Sequence, residues 1–360
     1  MASQLHVRAE LTDITRPRPG ETVLTELRLA DLESDEFFCS TEQLQFHNAN
    51  GRMVIEVGQL QLPATRLDDL WSAFSTWLAT DSHSDMIVKV EKLIVSHETF
   101  PDFQLQDVVL RTEQHNNGHR LVKLVGKNSD DEKFEVAIIA TDGKFEAQTT
   151  TMQVPLPAWL VGKFVPGVKG CGLAEFRGLI EVQRAQRKII GQMQGNFTAI
   201  DLQQWIGTDG PHRLQGSATL NFEDFTWTDG RIQSANGSLH TGNGAMSYSL
   251  FENAQQLCGC VPGAAWQTPI PSPPETTIEF DELAAQFQIT AGGIAVTGNG
   301  TEGALITKNQ APLTKLQQQP VLLPVGRLVR LLNQAHPPGW FPATRKAHDM
   351  ADSLPLPGDE

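Results

Sequence analysis

The stretch Lys188–Phe251 decides the fold class of this chain. Its two halves read KIIGQMQGNFTAIDLQQWIG, beginning at Lys188, and GPHRLQGSATLNFEDFTWTDGRIQSANGSLHTGNGAMSYSLF, beginning at Gly210. Apolar or small residues occupy the odd positions of Ile189–Ala199 and the even positions of Ala218–Phe222. Polar residues occupy most of the positions between them. A period of two is typical of a β-strand with one apolar face and one solvated face.

Turn chemistry separates the strands of this stretch. A short helical pause is predicted at Asp201–Ile206, and the dipeptides Asp229-Gly230 and Asn236-Gly237 predict hairpin turns. The whole stretch is therefore predicted to be one continuous antiparallel sheet, and its residues suggest no reaction chemistry.

The same alternation recurs on both sides of the central stretch. It predicts further strands at Leu5–Leu11, Phe37–Phe46, Met53–Leu62, Ile87–Ser96, Gln104–Thr112, His119–Gly126, Lys133–Thr141, Lys144–Val154, Leu173–Val182, Thr277–Phe280, Ala284–Ala291, Gly293–Gly298 and Gly303–Thr307. Helical spacing predicts helices at Ala64–Ala79, Ala158–Phe164, Met246–Leu257 and Pro324–Gln334. We expect a mostly β protein whose long curved antiparallel sheet forms a taco-like groove, with a few covering helices.

Four segments follow from this pattern. We predict an N-terminal β module over residues 1–155 that contains the helix 64–79, and a hinge or connector over 156–172. A C-terminal β module over 173–335 contains the helices 246–257 and 324–334, and residues 336–360 form a frayed tail. The apolar stripe of the first helix, which carries Trp71 and Trp77, is expected to cover the sheet.

Composition and charge exclude several classes of partner. The net charge of the 360 residues is −14, and no cluster of Lys and Arg is present, which argues against nucleic acid and against adsorption to an anionic membrane. The four cysteines include Cys258 and Cys260, whose C-G-C spacing suggests neither a zinc site nor a redox motif. No apolar run is long enough to span a bilayer, and no signal peptide is recognised.

Residues with possible catalytic or metal-binding chemistry are few. Glu113, His115 and His119 could meet across a hairpin to bind a metal, but histidines beside a tight turn are usually solvated. A carboxylate pair for glycoside hydrolysis could come from four acidic residues near predicted turns, namely Asp224, Asp229, Asp281 and Glu282. No nucleophile elbow, phosphate loop or metalloprotease motif is present. We expect no enzyme activity, no cofactor and no metal.

The apolar face of such a sheet must be covered or left as a trough, and the helices are few. A trough can bind acyl chains, since each buried methylene contributes about 0.8 kcal/mol. The alternation predicts the lining side chains Ile189, Met193, Phe197, Leu220, Phe222 and Phe225. A sandwich with fully covered faces fits the pattern almost as well.

Three stretches resemble the AsmA-like family of bacterial envelope proteins, which includes the TamB and YdbH types. They are Leu11–Phe46 followed by LQLPATRLDDLWSAFSTWL, then GCGLAEFRGLIEVQ with its continuation to Phe251, and finally TIEFDELAAQFQITAGGIAVTGN with GALIT and a Leu/Val helix. The second resembles the family's C-terminal pattern G-x-l-x-G, short helix, l-x-G-x-a-x-l, gG-r-i-x-x-a-x-G-x-l. The chain lacks the family's N-terminal transmembrane helix and is short for a full bridge.

The resemblance implies a β-rich groove protein of the periplasm that is anchored in the inner membrane. Its implied role is to move phospholipid between membranes or to assist outer-membrane assembly, with a phospholipid or other acyl-chain lipid, and envelope proteins, as partners. The anchor would lie outside the chain shown, and a cytoplasmic location follows if the start shown is the true one. The alternatives are a scaffold with a fully covered β core and a glycan-active β enzyme.

Overall fold

The structure is a computed structural model that describes most of the chain. The described residues are 7–31, 37–78, 85–114, 120–141, 144–150, 153–168, 171–185, 188–206, 212–258, 260–265, 276–316, 322–324 and 353–354. They form a large, mostly antiparallel sheet of many strands and a separate three-stranded sheet, with few helices. The predicted fold class is therefore confirmed.

The chain divides into two compact units. The first comprises Met1–Pro155 with Leu179–Lys188, and the second comprises Leu156–Gly178 with Ile189–Glu360. The first unit contains the strands β1 (Val7–Glu10), β2 (Asp13–Thr15), β3 (Glu21–Asp31), β4 (Phe37–Ala49), β5 (Arg52–Pro63), β6 (Met86–Ser96), β7 (Phe103–Gln114), β8 (Arg120–Lys127), β9 (Lys133–Thr141) and β10 (Lys144–Thr150). Between β5 and β6 lie a 3-10 turn (Ala64–Arg66) and the helix α1 (Leu67–Leu78).

Neighbouring strands of the first unit pair in chain order. β1 and β2 both pair with β3, and each strand from β3 to β10 pairs antiparallel with the next, apart from β5 and β6. β5 and β6 pair in parallel, with Val54 beside Ile87. The intervening helix α1 carries the chain back along the sheet, as a parallel connection requires. This parallel pair lies within a sheet that is otherwise mostly antiparallel, as predicted.

The helix α1 covers the sheet of the first unit with its apolar face. Trp71 and Phe74, whose ring centroids are 6.0 Å apart, pack against a buried cluster of Val122, Ile138 and Ala140 on β8 and β9. Packing the apolar face of the helix on the sheet removes the apolar side chains of both from water, which stabilises the fold. The prediction that this stripe covers the sheet is confirmed.

The second unit contains the remaining elements of the described chain. They are β11 (Leu156–Pro157), α2 (Ala158–Val161), β12 (Glu175–Ala185), β13 (Lys188–Asp201), α3 (Leu202–Ile206), β14 (Leu214–Gln215), β15 (Ser217–Thr228), β16 (Arg231–Thr241), β17 (Gly244–Ser247), α4 (Tyr248–Cys258), β18 (Cys260–Pro262), β19 (Thr277–Phe280), β20 (Glu282–Thr290), β21 (Gly293–Gly298), β22 (Ala304–Lys308) and β23 (Ala311–Leu316). A 3-10 turn, Thr301–Gly303, precedes β22. Of β12, the residues up to Gly178 belong to this unit, and the rest pair with β10 in the first unit.

The strands of the second unit follow one another across a sheet. β13 pairs with β15, β15 with β16, and β16 with β20, all antiparallel. β20 then pairs with both β21 and β22, and β22 leads through β23 to β18. β14, β17 and β19 form a separate small sheet. The long apolar faces of β13, β15 and β20 thus lie in one sheet, which positions the candidate site.

Asn236-Gly237 lies within a strand, so the predicted hairpin turn at this dipeptide is wrong. Both residues lie inside β16, with Asp224 and Phe222 of β15 opposite them on one side and β20 on the other. The local sequence favours a hairpin, but two full-length neighbouring strands satisfy the hydrogen bonds of this backbone from both sides. The other predicted turn, Asp229-Gly230, joins β15 to β16 as expected.

One smaller prediction is wrong, and two others fall on residues that the structure does not describe. Alternation predicts that Ala199 is buried, but it is exposed. The register of β13 shifts between Phe197 and Ile200, and Ala199 has a φ of 58° within this bulge. The bulge turns Ile200 inward in place of Ala199. The predicted helix Pro324–Gln334 lies outside the described residues apart from Pro324, as do His115, His119 and the turn between them.

Candidate functional site

A row of aromatic rings crosses the apolar face of the second unit. Phe176 on β12 lies 4.9 Å from Phe197 on β13, measured between ring centroids, and Phe197 lies 6.2 Å from Phe222 on β15. Phe222 in turn lies 5.8 Å from Phe287 on β20, and its contacts with Phe197 and Phe287 are both edge-to-face. Aromatic pairs in this geometry contribute about 0.5–1.5 kcal/mol each beyond the area they bury. The row therefore stabilises the sheet across four strands.

Glycines on the neighbouring strands make room for these rings. Gly237 of β16 lies opposite both Phe222 and Phe287, so the two rings meet across the strand that separates them. Likewise Gly191 of β13 lies opposite Trp227, whose ring would be 2.0 Å from a Cβ at that glycine. Gly191 and Gly237 thus each leave space for an aromatic ring of a neighbouring strand.

A half-open cavity of about 340 Å³ lies at the end of this row. Its walls are the residues Gly167, Val168, Cys171, Trp205, Ile206, Leu220, Phe222, Ile232, Leu239, Ala285, Phe287, Ile289, Ile294, Val296, Ser353 and Leu354, all of the second unit. None of these lining residues carries a charge, and the Ser353 hydroxyl and the Trp205 indole are their only strongly polar side-chain groups. Such a cavity offers an apolar molecule contact on several sides and offers an ion no partner.

Strand alternation explains most of this wall. On β20 the odd positions Ala285, Phe287 and Ile289 face the cavity, while Gln286 and Gln288 are exposed. Ile294 and Val296 of the neighbouring β21 continue the same face. The alternation of apolar and polar residues that predicts these strands therefore also predicts which of their side chains border the cavity.

The six side chains that the sequence predicts as groove lining divide into three groups. Leu220 and Phe222 line the cavity. Met193, Phe197 and Phe225 are at most 2% exposed and are buried in the interior, Phe197 within the aromatic row itself, and none of the three lines the cavity. Ile189 is 41% exposed near the start of β13, where its N–H donates to the Asp229 carboxylate, so it lies outside the cavity as well.

Sequence reasoning missed the other walls of the cavity. The alternation of β20 could have identified Phe287 and Ile289, because it is as regular as that of β13. No local signal identifies Trp205 at the end of α3 or Ser353 and Leu354, because these residues reach the cavity only through tertiary packing.

Three of the four acidic residues proposed for glycoside hydrolysis contact other groups of the sheet. Asp229 accepts a hydrogen bond from the Ile189 N–H, Asp281 accepts one from the Asn309 N–H, and Glu282 lies 3.1 Å from Nε2 of His240. Asp224 is an exposed residue at a bulge of β15. Within the described ranges, no group of three His, Cys, Asp or Glu residues is placed to bind a metal.

A buried polar cluster caps the helix α4. The Ser247 hydroxyl accepts from the backbone N–H groups of Leu250 and Arg213, and it lies 3.1 Å from the Ser249 hydroxyl. Nδ1 of His212 lies 3.0 Å from the same Ser249 hydroxyl. Because the cluster meets donors that a helix N-terminus leaves unsatisfied, its geometry fits a structural cap.

Two cysteines differ in their relation to the cavity. Burial raises the pKa of the Cys39 thiol in the first unit to about 12, so this thiol stays protonated at neutral pH. Cys171, by contrast, lies buried in the cavity wall of the second unit.

Comparison of the chain with protein-family models, curated proteins and solved structures finds no match. In the part of the chain that the structure describes, no helix has both the length and the apolar character needed to cross a bilayer. The cavity and the aromatic row beside it are the features of the described residues that bear on function.

Proposed function

We propose that this chain is a non-enzymatic β protein that binds the acyl chain of a lipid in the cavity of its second unit. As the AsmA-like resemblance implies, it would act in the cell envelope, in phospholipid transfer between membranes or in outer-membrane assembly. The observation that carries the binding proposal is the half-open cavity of about 340 Å³ with uncharged, almost wholly apolar walls. Ligand sites of this kind are concave and largely preformed.

The size of the cavity suits one acyl chain. A volume of about 340 Å³ is near the lower end of the range for small-molecule sites, which is about 300–1,000 Å³. If one methylene takes about the 30 Å³ of a liquid water molecule, the cavity accepts about ten methylenes. Their burial would contribute up to about 8 kcal/mol before the cost of ordering the chain.

The apolar walls suit the hydrocarbon part of a lipid and not its headgroup. Side chains such as Leu239, Phe287 and Ile294 contact hydrocarbon favourably but leave a phosphate or carboxylate without a partner. We therefore expect the acyl chain to enter the cavity and the headgroup to remain in water. Binding should then depend on chain length more than on headgroup identity.

Filling the cavity tests the proposal. The variant Ala285→Trp places an indole in the cavity from the middle of β20, and we expect it to weaken binding of a fluorescent dodecanoate at least tenfold, because the ring takes the space of the acyl chain. Titration by fluorescence measures the affinity, and lipid that co-purifies with each variant is identified by mass spectrometry. Val296→Trp fills the same cavity from β21 and serves if the first variant fails to fold.

The matched control is Gln286→Trp. Gln286 is the next residue of the same strand, and its side chain is exposed on the opposite face. The control adds the same ring to β20 and should leave the affinity unchanged. Equal affinities of the wild type and both cavity-filling variants, or wild-type protein that binds no dodecanoate, would refute the proposed site.

A scaffold protein with a covered β core is the second candidate, and one observation favours it. Phe176, Phe197 and Trp227 are at most 1% exposed, so much of the apolar face is sealed by its own side chains. A scaffold would bind other proteins and retain no lipid. The mass-spectrometric measurement on the purified protein therefore separates the two candidates.

A further inference from the structure

The walls of the cavity differ in exposure from one side to the other. Half-buried lining side chains that reach solvent lie on α3, on β20 and β21, and near the end of β16, namely Trp205, Ile206, Phe287, Ile289, Val296 and Leu239. At the start of β16 the lining residue Ile232 is 5% exposed, and Val168, in the connector between α2 and β12, is 3% exposed. The cavity is therefore open on one side and closed at Ile232.

The strand register places α3 beside the Leu239 end of β16. The Leu202 N–H, at the start of α3, donates to the carbonyl of Gly216, which directly precedes β15. The start of β15 pairs with the end of β16, where Leu239 lies. Because α3 is a helix of only five residues, Trp205 and Leu239 border the same end of the cavity.

Packed groups close the cavity at Ile232. A Cβ at Gly167 would lie 3.3 Å from Cδ1 of Ile232, so the connector lies directly on this side chain. On the neighbouring strand, Ile232 is opposite Trp227, which is 1% exposed and is not a lining residue. The Trp227 ring also fills the space above Gly191 of β13. A ligand that reaches Ile232 thus meets packed side chains beyond it.

The two ends of the cavity are far apart along β16. Ile232 and Leu239 both line it, and the register shift beside Trp227 inserts one residue between them, which keeps both on the same face. Because each strand residue advances about 3.3 Å, the walls extend about 20 Å along the strand. A volume of about 340 Å³ over such a length makes a narrow channel, in which one hydrocarbon chain lies lengthwise.

We propose that Ile232 is the end stop of the acyl-chain site and sets the longest chain that the site buries in full. This inference rests on the proposed function, because it names the specificity of the same cavity. An acyl chain that enters beside Trp205 and Leu239, methyl end first, gains contact with the walls for each methylene until its end meets Ile232. A further methylene stays outside or forces packed side chains apart, so affinity rises with chain length up to a limit and no further.

Shortening the end stop should move this limit. Ile232→Ala removes three side-chain carbons, so we expect the limit to rise by about three methylenes. Each methylene that becomes buried raises affinity about fourfold, so chains just above the wild-type limit should bind about tenfold to fiftyfold more tightly, while octanoate is unaffected. Displacement of a fluorescent dodecanoate by the even-numbered saturated fatty acids from octanoate to octadecanoate measures the limit. Ile232→Val serves if Ile232→Ala does not fold, and it should move the limit by about one methylene.

Lengthening the end stop should have the opposite effect. The ring of Ile232→Phe takes space at the closed end, so we expect the limit to fall and the affinity for hexadecanoate to drop at least tenfold relative to that for octanoate. The matched control is Leu239→Ala, which removes the same number of carbons from the same strand at the open end. It should weaken binding of every chain length by about the same factor and leave the limit where it is in the wild type.

The outcomes distinguish this inference from the proposed function. If the wild type binds the fatty acids but shows no limit, or if the limit is the same in all the Ile232 variants, the end stop is refuted while the lipid site stands. A limit that moves in Leu239→Ala as far as in Ile232→Ala would also overturn it, because the stop would then not lie at Ile232. If the wild type binds none of the acids, the proposed function itself fails.

Discussion

Gly237 shows at the scale of one residue why a glycine is needed inside a strand. Its neighbours across the two ladders are Phe222 and Phe287, whose rings touch over it. A Cβ at Gly237 would lie 2.1 Å from the carbonyl oxygen of Asn221 and 2.9 Å from Cζ of Phe287. Any side chain here must displace backbone of β15 as well as a ring.

Gly237→Ala should therefore destabilise the second unit. We expect a loss of about 1–3 kcal/mol in the free energy of unfolding, the usual cost of forcing extra volume into a packed core. Urea unfolding followed by tryptophan fluorescence measures the change. The control is Gly242→Ala, just beyond β16, where a Cβ would meet no atom within 4 Å. Equal stabilities of the two variants would contradict the close approach at Gly237.

At the scale of an element, a β-bulge decides which side chains of β15 share a face. Phe222 and Phe225 are three residues apart and should face opposite sides of a regular strand, yet both are buried. The register of β15 against β16 shifts between Phe222 and Asp224, which inserts one extra residue. Without this bulge, Phe225 and Trp227 would point into water.

The hairpin of β8 and β9 is held on its solvated face by an ionic contact. Glu135 of β9 lies 2.7 Å from the Lys123 ammonium of β8 and 3.1 Å from the Lys133 ammonium. Hydrogen bonds from Lys123 and then Lys133 lower the pKa of the Glu135 carboxyl below its ordinary value. A carboxyl with a lowered folded-state pKa stabilises the protein above its unfolded-state pKa, and this contribution disappears as the pH falls through the folded-state pKa.

Glu135→Gln should consequently lower stability at neutral pH and not in strong acid. The loss should be about 0.2–1 kcal/mol, because the pair is partly exposed and screened by solvent. Urea unfolding at a series of pH values measures it, and added salt should reduce it. Glu146→Gln on the exposed face of β10 is the control. A difference from the wild type that persists in strong acid would show that Glu135 acts through packing instead.

At the scale of the whole molecule, an excess of negative charge accompanies an uncharged cavity. The chain carries a net charge of −14, and no charged residue is found among the described walls of the cavity. The general field of the protein therefore opposes anionic ligands, while the local chemistry of the site favours hydrocarbon. The two effects differ in their response to salt, because only the first is screened.

Salt should thus separate the two contributions. We expect the affinity for dodecanoate to rise with ionic strength and the affinity for an uncharged dodecyl amphiphile of equal chain length to change little. Titrations at low and high salt measure both. A dodecanoate affinity that falls with salt would reveal a cationic group near the entrance and would contradict a purely apolar recognition.

Much of the fold could be predicted from the sequence because strand alternation is a local property. The strands at Thr277–Phe280 and Gly293–Gly298 have their predicted bounds, and the helix over residues 64–79 covers a sheet as expected. The errors, at Asn236-Gly237 and Ala199, arise where neighbouring strands or a bulge override the local pattern. The candidate site was predicted less well, since only Leu220 and Phe222 of the six proposed residues line the cavity.

The sequence by itself determined the mostly β fold, the face of each strand that is apolar and the absence of a recognisable catalytic motif, because these depend on residues close together in the chain. Only the tertiary structure decided which apolar side chains seal the interior and which border the cavity. Phe197 and Phe222 have the same chemistry, yet Phe197 is enclosed by its neighbours while Phe222 borders open space beside Phe287. The physical reason is that a cavity belongs to the packing of several strands at once, and no single strand encodes it.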